Sequence, residues 1–171
     1  MLRKIEKTAL PGFNGLSAFD GAIRFLSSAD EAWLSEIKNF YGDLFPDLSI
    51  IAEDAFGILF GIDANSRVNV FHAESADIEP LGISEDEFYG IIADDPDGTI
   101  SLAFYSQCVS VLGRPLLEQH FAFKVETALG GALEANNVSI LDRIEHYRAL
   151  GSIARQIHNV PVGTPFIPKR G

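Results

Sequence analysis

The sequence predicts an α+β fold in which a mostly antiparallel sheet is flanked by helices. Four short apolar segments follow one another between residues 49 and 81, each bounded by turn residues, and such sequential strands favour antiparallel pairing. Segments with the apolar spacing of helices lie before and after them. The chain has 171 residues, of which 47% are hydrophobic, and this is enough for one compact domain with a sizeable core.

The strand candidates are short and separated by turn signals. Residues 63–66 (DANS) predict a hairpin connection, and the paired glycines Gly130 and Gly131 predict a tight turn after a core strand. In that strand Phe121, Phe123 and Val125 alternate with less apolar residues, which predicts one buried face. The predicted strands are residues 49–52, 57–62, 68–73, 77–81, 121–126 and 138–141.

Helices are predicted where apolar residues recur at intervals of three or four. Two of these segments begin with a capping box, SADE at residues 28–31 and SEDE at residues 84–87. Asp142 is expected to cap the last helix, and residues 94–98 (DDPDG) are expected to form a loop. The predicted helices are residues 16–26, 30–41, 85–93, 100–112 and 143–158.

The net charge of −11 is concentrated in one part of the chain. Between Ser28 and Gly98 there are 17 Asp and Glu residues against only Lys38 and Arg67. Such a surface repels nucleic acid and anionic lipid and attracts a basic protein surface, so neither nucleic acid nor membrane is an expected partner. A solvated acidic face is the simpler interpretation. With no apolar membrane span and no signal-peptide pattern, a cytoplasmic protein is expected.

No motif predicts catalysis, a cofactor or a metal. His72 and Glu74 have the H-x-E spacing of zinc deaminases, but the single cysteine, Cys108, cannot supply the thiolate pair which that chemistry needs. Cys108 is expected to be a small buried hydrophobe. The acidic residues around Pro96 have ordinary turn composition, and the four histidines show no metal-binding spacing.

An ordered series of short motifs lies between residues 54 and 167. The motif residues are Phe56 and Gly57, the run from Ser84 to Phe88, Gly113, Arg114 and Leu116, Leu129, Gly130 and Gly131, His146, and Pro161, Gly163 and Pro165. This series resembles the C-terminal domain of the GAD-related type VI secretion immunity proteins that neutralise DNase toxins, and more broadly the SUKH immunity superfamily. Family members often carry a longer N-terminal domain than the roughly 50 residues which precede the series here.

The resemblance implies a SUKH-like immunity-type domain over residues 49–171, with residues 1–48 as a helical segment packed on it. It implies no catalytic residues and no cofactor. The expected function is non-catalytic binding and neutralisation of a cognate toxin with a basic surface, a nuclease in the first instance. A protein-binding module in regulation or assembly, and a small hydrolase whose site forms only in the fold, are the alternatives. The expected contact residues are Glu85, Asp86, Asp94, Asp95 and Asp97.

Overall fold

A computed structural model describes residues 16–27, 30–161 and 163–164, and it contains two antiparallel sheets. In the larger sheet each strand pairs with its neighbours along the chain, and in the smaller one two later strands pair. The predicted α+β class with a mostly antiparallel sheet is therefore confirmed. The larger sheet comprises β1 (Ser17–Ala18), β2 (Ile23–Phe25), β3 (Ser49–Asp54), β4 (Leu59–Ile62), β5 (Val68–His72) and β6 (Asp77–Pro80), and the smaller comprises β7 (Gln119–Phe123) and β8 (Val138–Asp142).

The helices begin and end largely where local signals predict. Ser84 and Glu87 form a complete capping box, and the Asp142 carboxylate accepts the N–H groups of Ile144 and Glu145. No helix within the described ranges is long and apolar enough to cross a membrane. The helices are α1 (Glu31–Tyr41), α2 (Glu85–Asp94), α3 (Pro96–Ile100), α4 (Leu102–Leu112) and α5 (Arg143–Ile157).

Two predicted elements are wrong. Residues 16–26 form a hairpin, not a helix, because positive φ angles at Phe19, Asp20 and Gly21 turn the chain and β2 then pairs with β3. Residues on both sides of position 48, the expected boundary between the N-terminal segment and the domain, therefore belong to one sheet. Residues 94–98, expected as a loop, include the start of the short helix α3, because the Asp95 carboxylate accepts the Gly98 N–H. Residues 1–15 and the serine of the first capping box lie outside the described ranges.

The larger sheet is covered by helices on both faces. Leu59 and Phe71 belong to a buried cluster with Ile37 of α1 and Tyr147 of α5. Their neighbours Phe60 and Val70 point to the opposite face, because side chains alternate along a strand, and belong to a second cluster. That cluster includes residues of α2, α3, α4 and the smaller sheet. The edge strand β6 and the helix α2 lie close together, since residues of both line one groove.

Candidate functional site

The expected contact residues lie at the two ends of α2 and in α3. Asp86, Asp94, Asp95 and Asp97 are exposed, whereas Glu85 is half-buried. A helix rises about 1.5 Å per residue, so Asp86 and Asp94 lie about 12 Å apart along the axis of α2. The structure therefore places the five carboxylates in two groups along one helix and its exit, and not in a single cluster.

Three of the five carboxylates make contacts within the fold. Glu85 Oε1 accepts a hydrogen bond from the Tyr89 hydroxyl at 2.5 Å. Asp95 Oδ1 accepts from the Gly98 N–H at 3.0 Å, and Asp97 Oδ1 accepts from the Ala103 N–H at 2.7 Å. Asp86 and Asp94 make no hydrogen bond or ion pair with any residue that the structure describes. These two charges can therefore be reversed without removing a contact that holds α2, α3 or α4.

An apolar groove with acidic residues at its rim lies between the sheet edge and α2. Its volume is about 430 Å³, and Phe60, Val70 and Phe88 are among the apolar residues that line it. The carboxylates of Glu79 and Asp95 lie at its rim. We call this cavity, with its lining from β4, β5, β6, α2 and α3, the acidic groove. No local sequence pattern indicates it, because its walls come from segments far apart in the chain.

The acidic groove borders an edge strand. Among the residues that the structure describes, the larger sheet ends at β6, whose residues are all exposed. Ile78 of β6 is 49% exposed and Ile91 of α2, which lines the groove, is 43% exposed. An unpaired strand edge with accessible apolar side chains is a surface onto which a partner protein can dock.

A second polar region is buried around Glu53 of β3. Its Oε1 accepts from Arg143 Nη1 at 2.7 Å and from Arg24 Nη1 at 3.3 Å. Its Oε2 accepts from the Tyr147 hydroxyl at 3.1 Å and lies 3.4 Å from His120 Nε2. The side chains of Glu53, Arg143 and His120 are at most 4% exposed. We call these five side chains the Glu53 cluster.

His120 extends the Glu53 cluster to His146 of α5. The two Nδ1 atoms lie 3.3 Å apart, so one ring must donate to the other. If His120 Nε2 donates to Glu53, His146 Nδ1 is the donor and His146 Nε2 is left without a partner, as the structure shows. Burial lowers the pKa of His146 well below its usual value, and the nearby His120 adds to the effect. The pair escapes sequence inspection because 26 residues separate the two rings.

A cavity of about 490 Å³ lies beside the Glu53 cluster and is lined by Glu53, Asp54, His120 and Arg114 among others. Burial raises the pKa of Asp54 to about 6, against the opposing N–H donors of Phe56 and Ile58. Both ring nitrogens of His120 lie against partners, so the cavity faces no free histidine base. The contacts of the cluster tie β3, β7 and α5 together.

The remaining candidates have structural surroundings. Cys108 is fully buried, as expected, and burial raises the pKa of its thiol. No group of three His, Cys, Asp or Glu side chains in the described part of the chain is arranged to hold a metal.

The motif residues take up separate positions in the fold. Gly57 lies against His146, since a Cβ atom on it would be 3.3 Å from the imidazole. Phe56 packs among the rings of Phe104, Phe121 and Phe123. Gly113 ends α4, and Arg114 forms an ion pair with Asp20 at 2.8 Å. Leu129, Gly130 and Gly131 form a turn. Pro161 and Gly163 are exposed, and Pro165 lies outside the described residues.

Comparisons with known proteins give one informative likeness. No protein-family model matches the chain, and no curated protein matches it. Three chains of solved structures do match. One is the crystal structure of Atu4351 from Agrobacterium tumefaciens, with a TM-score of 0.54 and 14% identity over 77% of this chain and 67% of that chain. At this identity the likeness shows a shared fold alone.

Proposed function

We propose that the protein is a non-catalytic immunity-type protein that binds a partner with a basic surface, a nuclease toxin in the first instance. The acidic groove is the observation that carries the proposal. It combines apolar lining, acidic residues and an exposed edge strand within one surface. The motif series and the acidity of residues 28–98 support the same interpretation.

The groove has the two properties that tight recognition of a nuclease requires. A nuclease holds phosphate with Lys and Arg, and an acidic rim competes for those side chains and speeds the encounter of the two proteins. Affinity comes mostly from a few buried anchors at the centre of an interface. Phe88 and Ile91 line the groove where such anchors would insert.

The proposal is tested first by identifying the partner. We expect the gene for this protein to lie beside a toxin gene whose product co-purifies with it. Deletion of this gene alone is expected to be lethal, and deletion of both genes to be survivable. A regulatory or assembly module would instead show no such neighbour, and the cell would survive its loss.

The contact surface is tested by reversing Asp86 and Asp94, the two carboxylates that make no hydrogen bond or ion pair with the described residues. We expect Asp86→Lys/Asp94→Lys to weaken binding of the co-purified partner by about tenfold or more and to reduce its salt dependence. The matched control is Asp47→Lys/Glu134→Lys, which changes the net charge equally at two exposed positions. Calorimetric titration at several salt concentrations measures the affinity and its salt dependence for both variants. Equal affinities and equal salt slopes for the two variants would rule out Asp86 and Asp94 of α2 as contact residues.

A further inference from the structure

A smaller cavity lies at the turn that follows β7 and shares the lining residues Ile58, His72 and Ser101 with the acidic groove. Its volume is about 160 Å³, whereas pockets for drug-sized ligands measure roughly 300–1,000 Å³. Only a small group can therefore enter it. Its apolar lining comes from Phe56, Ile58, Phe104, Phe123, Leu133 and Leu150.

Glu126 lies in the wall of this small cavity. The residue is only 7% exposed, yet no residue that the structure describes donates a hydrogen bond to its carboxylate or pairs with it. Its oxygens are not among the fully enclosed polar atoms that lack a partner, so their donor comes from solvent or from a bound group. Because the residue lines the cavity, a group occupying the cavity can supply that donor.

The turn after β7 holds Glu126 in place. The Glu126 carbonyl accepts the N–H groups of Leu129 at 3.0 Å and Gly131 at 2.9 Å. Only glycine fits at position 131, since a Cβ atom there would lie 1.8 Å from the Val125 carbonyl oxygen. The paired glycines thus shape the segment that buries Glu126, and Thr127 and Leu133 from the same connection line the cavity.

The charged residues that line the cavity are acidic, which favours a cationic ligand over an anionic one. Asp54 and Glu74 also line it, and Glu74 is held by the Thr127 hydroxyl at 2.8 Å and the Ala128 N–H at 3.2 Å. None of the lining residues that the structure describes is Lys or Arg. Since no three acids or histidines of the described chain converge on a metal position, an organic cation suits the cavity better than a metal ion.

We propose that this cavity binds a primary alkylammonium group, supplied by a small free amine or by a lysine side chain of another protein. The ammonium group donates to Glu126, and Phe56, Phe104 and Phe123 cover the alkyl chain. Aromatic rings beside an ammonium group add a cation–π attraction. The site adjoins the acidic groove, but Glu126 lines only the smaller cavity, and the proposal does not depend on the function proposed above.

The binding should become stronger as pH rises. Burial raises the pKa of Glu126 to about 8, and the charge of Glu74 adds to the rise. An ammonium group binds the ionised carboxylate, so binding releases a proton where Glu126 is still protonated. The other titratable groups around Glu126 are Asp54 and His72, which line the cavity with it, and Tyr41, whose pKa is raised partly by the Glu126 charge.

The test is a titration of the full chain, followed by NMR, with two probes. One is n-butylammonium chloride, and the other is Nα-acetyl-lysine N-methylamide, which presents a lysine side chain. We expect saturable shifts at Glu126 and the phenylalanine rings, with affinity about tenfold higher near pH 9 than near pH 7. Glu126→Gln should lose most of this binding, and the exposed control Glu134→Gln should keep it.

The results assign the source of the amine. Binding of both probes indicates a lysine side chain, binding of n-butylammonium alone indicates a free amine, and either supports the site. The absence of saturable shifts with both probes overturns the proposal, as does equal binding by Glu126→Gln. Leu133→Trp at the mouth, where Leu133 is 64% exposed, provides a second variant and should block both probes. Asp86→Lys/Asp94→Lys should leave amine binding unchanged, which separates this site from the proposed contact residues of α2.

Discussion

Gly131 lies so close to the Val125 carbonyl that a Cβ atom would be 1.8 Å from its oxygen. We therefore expect Gly131→Ala to lower the free energy of unfolding by about 3 kcal/mol, because the turn must open. Gly130 has a φ of +86° but open space around it, so Gly130→Ala should cost only about 1–2 kcal/mol. Urea unfolding of both variants measures the difference. A smaller loss for Gly131→Ala than for Gly130→Ala would contradict this account of the turn.

The segment of residues 121–131 shows which features local sequence patterns predict and which they do not. The predicted core strand at Phe121 and the predicted turn at the paired glycines are confirmed. The predicted single buried face is wrong, because Ala122 is as deeply buried as Phe121. The predicted burial of Val125 is wrong, because β7 ends at Phe123 and the strand period ends with it. Val125 is 49% exposed and Glu126 is 7% exposed. No residue pattern predicts a buried glutamate, since its burial depends on the cavity assembled around it.

At the scale of elements, Arg143 joins α5 to β3 and α1. It donates to Glu53 at 2.7 Å, and its guanidinium lies 4.0 Å from the centre of the Trp33 ring. We expect Arg143→Ala to cost about 3 kcal/mol, because it leaves the buried Glu53 with fewer donors. Arg148 of the same helix pairs with Glu36 and Glu145 at the surface.

Arg148→Ala is the matched control for Arg143→Ala, and it should cost less than about 1 kcal/mol because exposed ion pairs contribute little. Thermal and urea unfolding of the two variants measure the contrast. Equal losses would mean that the Glu53 cluster does not hold α5 on the sheet.

Elements set by local signals could be predicted, and elements set by distant partners could not. Helix ends follow from sequence because the signals that set them act within a few residues. These signals are the capping box at Ser84, the N-cap Asp142 and the glycines Gly42 and Gly113 at the ends of α1 and α4. The segment 16–26 has helical spacing but pairs with β3, about 30 residues further along the chain. The acidic groove and the His120–His146 pair form only after such pairing, so neither has a sequence signal.

At the scale of the whole molecule, a count of charges overstates the acidic surface. Three of the 17 acids between residues 28 and 98 are buried, namely Asp30, Glu53 and Asp54. Arg24 and Arg143 pair with two of them inside the protein. The exposed acids of β6, α2 and α3 therefore account for much of the field that a partner would meet. The distinction requires the fold, because composition does not separate buried carboxylates from exposed ones.

Three buried groups make the stability of the molecule depend on pH. The pKa values of Asp54 and Glu126 are raised, from 3.8 to about 6 and from 4.5 to about 8. The folded protein keeps these protons when the unfolded chain has released them, so stability falls as pH rises through each window. The pKa of His146 is lowered from 6.5, so the unfolded chain binds a proton below that pH and stability falls as pH drops.

Above pH 6.5, Glu126 is the one of these three groups that still changes stability. Between pH 6.5 and about 8, we expect the free energy of unfolding to fall by about 2 kcal/mol, since each pKa unit is worth about 1.4 kcal/mol. Glu126→Gln removes the titrating group and should abolish most of this fall, whereas the exposed control Glu134→Gln should retain it. Urea unfolding at a series of pH values measures all three proteins. Parallel curves for wild type and Glu126→Gln would show that Glu126 ionises as readily in the folded protein as in the unfolded chain.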